Sequence, residues 1–344
     1  MTRQIKVGNV LLGGGAPVTV QSMTNTKELH STIEQINALK AMGCDIVRMA
    51  VPDMDRVKDI YEIKKQIDIP LVADIHFDYR LAIESAAAGA DKIRINPGNI
   101  GSNDRVRAVA EACRSHNIPI RIGVNGGSLS KEILSRYSGP TAEALVASAL
   151  EEIAVLENCD FYDICVSLKS SDVLTMVKAY RLMSQRSDCP LHLGVTEAGT
   201  EYSGTLRSAM GIGALLVDGI GDTIRVSLTA DPVKEVKAGV EILKAVGLRQ
   251  GVKLISCPTC GRTKVDIISL AEELEQKLAI IKKPVTVAVM GCEVNGPGEA
   301  KEADIGVACG IDCGVIFADG KIIRKVKYEE IISEIMRLID ERFT

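Results

Sequence analysis

The chain has 344 residues, 46% of them hydrophobic and 3% aromatic, with no Trp and a formal net charge of −4 at pH 7. That length suits one large or two ordinary domains with ample core. The slight acidity gives no basic footprint for nucleic acid, and no apolar run approaches membrane-spanning length.

The opening stretch MTRQIKVGNVLLGGG lacks the apolar core of a signal peptide. Ten cysteines at irregular spacing do not read as a disulfide framework. A cytoplasmic protein with reduced thiols is expected. Without bulky aromatics the core must be built from Val, Ile, Leu and Ala, and short runs of these suit parallel strands covered by helices.

Such runs alternate with longer helical patterns at a regular beat. Strands are predicted over residues 18–23, 45–50, 71–75, 92–95, 118–124, 161–167, 191–195 and 222–227. Helices are predicted over 31–42, 55–67, 80–88, 105–116, 141–156, 173–186, 205–216 and 232–246. Eight strand–helix repeats within residues 1–246 match a (β/α)8 TIM-type barrel. A doubly wound open sheet shares the alternation and is the structural rival.

The strand ends favour the barrel. Arg48 ends the second run, Asp74 and His76 mark the third, and Arg94 and Asn96 the fourth. Arg121 and Asn125 belong to the fifth, Lys169 follows the sixth, Glu197 the seventh, and Arg225 and Ser227 close the eighth. A barrel gathers all these ends on one face, where such enzymes keep their active sites. Four arginines and a lysine in one mouth call for an anionic ligand, and guanidinium planes match phosphate oxygens. The glycine-rich turns 96–101 and 123–128 are able to cradle phosphate, but neither is a Walker loop or a dinucleotide fingerprint.

The other histidines and cysteines read more plainly. His30 and His116 fall in helical patterns and read as surface residues; Cys44, Cys113, Cys159, Cys165 and Cys189 read as small core residues. His192 lies within a strand and points either way, whereas His76, just past a strand end, is a candidate for the site.

After residue 246 the rhythm changes. Residues 247–251 read as a linker, and 247–344 as a small α/β domain with helices over 265–281 and 328–342 and strands over 284–290, 304–308, 314–318 and 321–326. This domain carries Cys257-Pro-Thr-Cys260 and, in a Gly/Pro loop, Cys292 followed by Glu299. Three thiolates and a carboxylate can hold four corners of a metal site. A carboxylate corner is unusual for an iron–sulfur cluster and more exchangeable than thiolate, which points to catalysis rather than electron relay. Structural zinc remains the alternative, with Cys309 or Cys313 as fourth ligand, though no histidine follows His192. A phosphate-ligand-binding barrel with a zinc-binding C-terminal domain is therefore the rival function.

The segments Gln21–Asn25, 72–78, 92–98, 121–125, 193–199, 222–227, 257–263 and 291–300 together resemble the bacterial 4-hydroxy-3-methylbut-2-enyl diphosphate synthase family, along essentially the whole chain and in the same order. The resemblance implies a [4Fe-4S] cluster on Cys257, Cys260, Cys292 and Glu299. It implies 2-C-methyl-D-erythritol 2,4-cyclodiphosphate as substrate, reductively opened and dehydroxylated to a linear allylic diphosphate on the non-mevalonate route. Arg48, Arg94, Arg121, Asn125, Lys169, Arg225 and Ser227 would contact the diphosphate, and Glu197 would donate a proton. Electrons would come singly from flavodoxin or ferredoxin. A homodimer is also implied, with the cluster domain of one subunit closing on the barrel of the other. Cys309, Cys313 and the loop over 26–32 fall outside the family pattern, and no role is assigned to them.

Overall fold

Parallel strands cannot be joined by tight turns, so each needs a crossover element to return the chain to its starting end. The computed structural model, which describes residues 1–279, 281, 283–293, 298 and 303–343, supplies those crossovers as helices. The chain divides into two compact units, Met1–Arg249 and Gln250–Thr344.

The first unit opens with a hairpin, β1 (Ile5–Val7) and β2 (Val10–Leu12). Eight parallel strands follow: β3 (Thr19–Met23), β4 (Ile46–Ala50), β5 (Leu71–Asp74), β6 (Lys92–Ile95), β7 (Ile120–Asn125), β8 (Ile164–Lys169), β9 (His192–Leu193) and β10 (Thr223–Ile224). They pair in the order β8-β7-β6-β5-β4-β3-β10-β9. A parallel bridge between Val166 and Leu191 joins the two ends. The sheet is thus closed, and the open-sheet rival is set aside.

The covering helices are α1 (Leu29–Ala41), α2 (Met54–Lys64), α3 (Tyr79–Ala87), α4 (Pro97–Ile100), α5 (Asn103–Ser115), α6 (Lys131–Tyr137), α7 (Ala142–Glu157), α8 (Val173–Ser184), α9 (Glu201–Val217) and α10 (Pro232–Ala245). Short polar caps start several of them. Asp53, Thr141, Asp172 and Asp231 accept from the N–H groups of Arg56, Ala144, Thr175 and Val233.

Successive strand residues face opposite sides. Val47, Met49, Ile93, Ile95, Ile120, Ile122, Val166 and Leu168 face outward and share one core with the helices. The alternate residues face inward, and they are polar: Gln21, Arg48, Asp74, Lys92, Arg94, Arg121, Ser167 and His192 are all buried. A TIM barrel ordinarily fills its interior with branched apolar side chains. Here apolar filling is confined to the floor, where Ile5, Val7 and Leu12 of the hairpin meet Ile46, Val72 and Cys165.

In the second unit five strands pair in the order β11 (Lys253–Ser256), β12 (Thr286–Met290), β13 (Ile305–Gly310), β14 (Cys313–Ala318), β15 (Lys321–Lys327). The first three run parallel, and the last two join them as antiparallel neighbours. Helices α11 (Ile267–Leu278) and α12 (Ile331–Arg342) bury Leu270, Leu274, Ile335 and Ile339 in a common core with Val287, Val307 and Ile316. No described helix is long and apolar enough to cross a membrane.

Several elements differ from the sequence expectation. The hairpin, β11, α4 and α6 were not foreseen. The sixth barrel strand starts later than predicted and runs through Lys169, which is its last residue rather than a loop residue beyond it. Helix α11 is shorter than the predicted 265–281.

Candidate active site

Strands β4, β5 and β6 carry Arg48, Asp74 and Arg94 inward at neighbouring heights, and the buried Asp74 carboxylate is the pivot between them. Arg94 Nη1 donates to its Oδ1 at 3.0 Å. Arg48 Nε stands 3.6 Å from its Oδ2, and His76 Nε2 stands 3.5 Å from the same oxygen. Burial alone would raise the Asp74 pKa. Arg48, the His76 hydrogen bond, Arg94 and Arg121 outweigh it and hold the carboxyl well below the usual range. Arg48 also donates to the sulfur of Met23, from Nη2 at 2.8 Å.

Arg94 crosses the face of β7 at Gly123. A Cβ there would lie 2.8 Å from both Nε and Nη2 of Arg94, so the close approach requires glycine. On β7 itself Arg121 is fully buried, and its Nε and Nη1 meet no partner among the described residues. Burial, then the charge of Arg94, lowers it to about 10. Asn125 and Lys169 end β7 and β8 directly opposite each other. Burial and the charges of Arg48, Arg225, Arg121 and Arg94 push Lys169 well below its ordinary value.

Arg225, just past β10, is fixed from behind. Its Nη2 donates to Glu235 Oε2 at 3.3 Å, and Glu235 Oε1 accepts from the Leu228 N–H at 2.8 Å. Ser227 is half-buried in the same turn. Glu197 is exposed in the loop after β9 and holds a left-handed backbone, φ 52°. A non-glycine residue in that region costs energy and recurs at functional sites.

The barrel end thus gathers Arg48, Arg94, Arg121, Arg225 and Lys169 against two buried carboxylates, Asp74 and Glu235. Positive charge is in excess, and a multiply charged anion offsets it. Glu235 escaped the sequence reading because it sits in a charged helical stretch, Val233-Lys-Glu-Val-Lys237, that looks like a solvated face. Asp74 was legible as a strand-end residue, though not as the pivot. Lys92 was hidden inside a strand, two residues before Arg94.

In the second unit the sheet register organises the thiols. Parallel pairing sets Ser256 opposite Val289, so Cys257 and the Gly291-Cys292 turn leave neighbouring strand ends. The Cys257 sulfur accepts from the Gly291 N–H at 3.1 Å. Cys292 is buried and Cys260 exposed. The Arg262 backbone N–H and side chain, with the Thr263 hydroxyl, hold the Cys260 thiol below its ordinary value and favour thiolate. These features suit a soft, thiolate-held group. Among the described residues no three Cys, His, Asp or Glu side chains stand close enough to hold a metal ion. Glu299 lies outside the described residues.

Fold and site define a class: a (β/α)8 enzyme barrel with an anion-seeking mouth, followed by a small thiol-bearing α/β unit. The family model described as GcpE TIM-barrel domain matches residues 2–240, and that described as GcpE protein C-terminal domain matches residues 253–341. The chain belongs to the GcpE family. A Clostridium perfringens relative named 4-hydroxy-3-methylbut-2-en-1-yl diphosphate synthase (flavodoxin) is 58% identical, covering 98% of both chains. A relative of the same name from Caldanaerobacter subterraneus subsp. tengcongensis is 60% identical over 99% of this chain and 97% of its own. Among solved structures, Yersinia pestis dihydropteroate synthase aligns with a TM-score of 0.53 at 15% identity, covering 72% of this chain and 98% of its own. A type I 3-dehydroquinate dehydratase from Clostridium difficile aligns at 0.52 and 16% identity, covering 71% and 98%. Those two likenesses concern the barrel fold alone.

Proposed function

We propose that this chain reduces 2-C-methyl-D-erythritol 2,4-cyclodiphosphate to 4-hydroxy-3-methylbut-2-enyl diphosphate, opening the ring and removing a hydroxyl with two electrons. The reading rests on the synthase name of relatives that span nearly the whole chain. The structural observation that carries it is the excess of buried cations around Asp74 at the barrel's C-terminal end. Residues 1–246 serve as the substrate domain and 247–344 as the cluster domain. A zinc-binding C-terminal domain is set aside in favour of iron–sulfur.

Arg48, Arg94, Arg121, Arg225 and Lys169 grip the phosphate oxygens, with Asn125, Ser227 and His76 completing the contacts. Asp74 and Glu235 hold three of these arginines before substrate arrives, which reduces the ordering cost of binding. Glu197 serves as proton donor to the departing oxygen or the adjacent carbon. Cys257, Cys260, Cys292 and Glu299 hold a [4Fe-4S] cluster, which when bound supplies the electrons that side chains cannot. Flavodoxin, named in the relatives' own description, is the donor, with ferredoxin as the substitute.

The functional unit is a homodimer in the cytoplasm, with each barrel served by the cluster domain of the other chain. Only residues 246–252 separate α10 from β11, and a crossover helix of this kind ends at the face opposite the active site.

The test is the visible spectrum of protein purified without oxygen. Brown protein with broad absorption near about 400 nm is the expected result. Colourless protein with stoichiometric zinc would overturn the reading.

A further inference from the structure

Beneath the arginines the barrel carries a second polar layer. Gln21 of β3, Lys92 of β6, His192 of β9 and Thr223 of β10 face inward and are all at most 1% exposed. Both side-chain heteroatoms of Gln21, Lys92 Nζ, both His192 nitrogens and Thr223 Oγ1 meet no hydrogen-bond partner among the described residues. Ile46 and Val72, paired in register with Gln21 and Lys92, lie among them and pack with Ile5, Val7 and Leu12 of the hairpin. Each such group left dry is destabilising, and an unsolvated ammonium more so. Buried polar groups in folded proteins are commonly satisfied by ordered water.

Among the described residues no carboxylate pairs with Lys92. The groups that act on it are Cys165 of β8, Arg121 of β7 and Arg48 of β4, and Lys92 in turn acts on His192 of β9. Burial pushes the Cys165 thiol up to about 11, so it is neutral near pH 7. Burial, with the charges of Arg121, Lys169 and Lys92 adding to it, pushes His192 well below its ordinary value, so it is neutral as well. Burial lowers Lys92 only to about 8, which leaves it mostly cationic at pH 7. An uncompensated buried cation costs stability and persists where something else needs the charge.

We propose that Lys92 is a specificity-determining residue of the mouth: hydrated by water held among Gln21, His192 and Thr223, its ammonium reinforces Arg48 and Arg121 from below and favours a diphosphate over a monophosphate. The inference rests on reading the mouth as a diphosphate site. A fixed charge beneath that site acts through space, so its effect grows with the negative charge of the ligand.

Calorimetric titration of the full chain with inorganic pyrophosphate and with inorganic phosphate tests it, using wild type, Lys92→Met and Lys92→Gln at pH 7. The Gln variant keeps the water contacts and is measured whether or not the Met variant folds. Pyrophosphate affinity should fall about tenfold and phosphate affinity about threefold in each variant. The melting temperature of Lys92→Met should not fall, because a buried charge has been removed. Between pH 7 and 9 the wild-type preference for pyrophosphate should decline relative to Lys92→Met. Arg121 and Lys169 titrate in both proteins, so only the difference between the two curves reports Lys92. An unchanged pyrophosphate-to-phosphate ratio in the variants overturns the role of Lys92 alone. Failure of wild type to bind pyrophosphate overturns the diphosphate reading of the mouth, and this inference with it.

Discussion

Arg94 donates to Asp74 at 3.0 Å inside the barrel, and that single carboxylate also faces Arg48 and His76. Asp74→Asn keeps the shape and removes the charge. In the absence of anion it should lose about 3–5 kcal/mol of stability, because buried guanidinium groups are left uncompensated. Added pyrophosphate should then raise its melting temperature by more than it raises that of wild type. Equal shifts in the two proteins would show that Asp74 does not share its cations with the ligand.

Binding and chemistry should separate by residue. Arg121→Ala or Arg225→Ala is expected to weaken substrate binding by about 2 kcal/mol, roughly thirtyfold in KM. Glu197→Gln removes a transferable proton while keeping the shape, so kcat should drop with KM nearly unchanged. Steady-state kinetics of the three variants decide this. A pure KM effect in Glu197→Gln would move that residue from proton transfer to recognition.

Glu152 of α7 gives a pH signature. Burial pushes its carboxyl up to about 8, with Arg94 opposing and Glu151 adding to the rise, and its Oε2 has no partner among the described residues. An acid whose folded pKa is raised stays protonated when folded and ionises when unfolded. Its stability contribution is therefore present below the unfolded value and lost as pH rises through the folded one. Glu152→Gln should match wild type near pH 4 and become progressively more stable relative to it up to pH 8. Melting curves across that range that stay parallel would contradict the buried-acid assignment.

A shared active site makes a sharper claim. Glu197→Ala and Cys292→Ser should each be inactive alone. Mixed under conditions of subunit exchange, they should form dimers that pair one intact barrel with one intact cluster domain if the site is shared, and activity should return. If each chain worked alone, both sites of the mixed dimer would carry a lesion. Exchange shown by mass spectrometry without recovered activity excludes sharing.

Much of the barrel could be read from the sequence because its parallel strands are covered on their outer face by helices. Runs such as Ile93, Ile95 and Ile120, Ile122, Val124 mark that outer face directly. The cations were legible where they stand at strand ends, as with Arg48 and Arg225. Depth was not. Lys92 and Arg94 look alike in Lys-Ile-Arg-Ile, yet only the structure sets Lys92 a layer lower with no hydrogen-bond partner among the described residues. The floor was missed because β1 and β2 are three residues each and carry no long apolar run. Glu235 was missed because the helix pattern around it does not distinguish a buried carboxylate from a solvated one. In the second unit β11 is a four-residue strand, and its pairing with β12, which brings Cys257 beside Gly291, is a long-range contact that local sequence does not encode.

The most direct measurement is turnover. Anaerobically purified protein with an intact cluster is incubated with 2-C-methyl-D-erythritol 2,4-cyclodiphosphate and reduced flavodoxin, and the products are followed by phosphorus NMR. The cyclic diphosphate signals should give way to those of a linear allylic diphosphate, with two electrons consumed per molecule and with slower conversion by Arg121→Ala at substrate concentrations below its raised KM. Unchanged cyclic diphosphate in the presence of a reducible cluster and reduced flavodoxin would contradict the proposed activity.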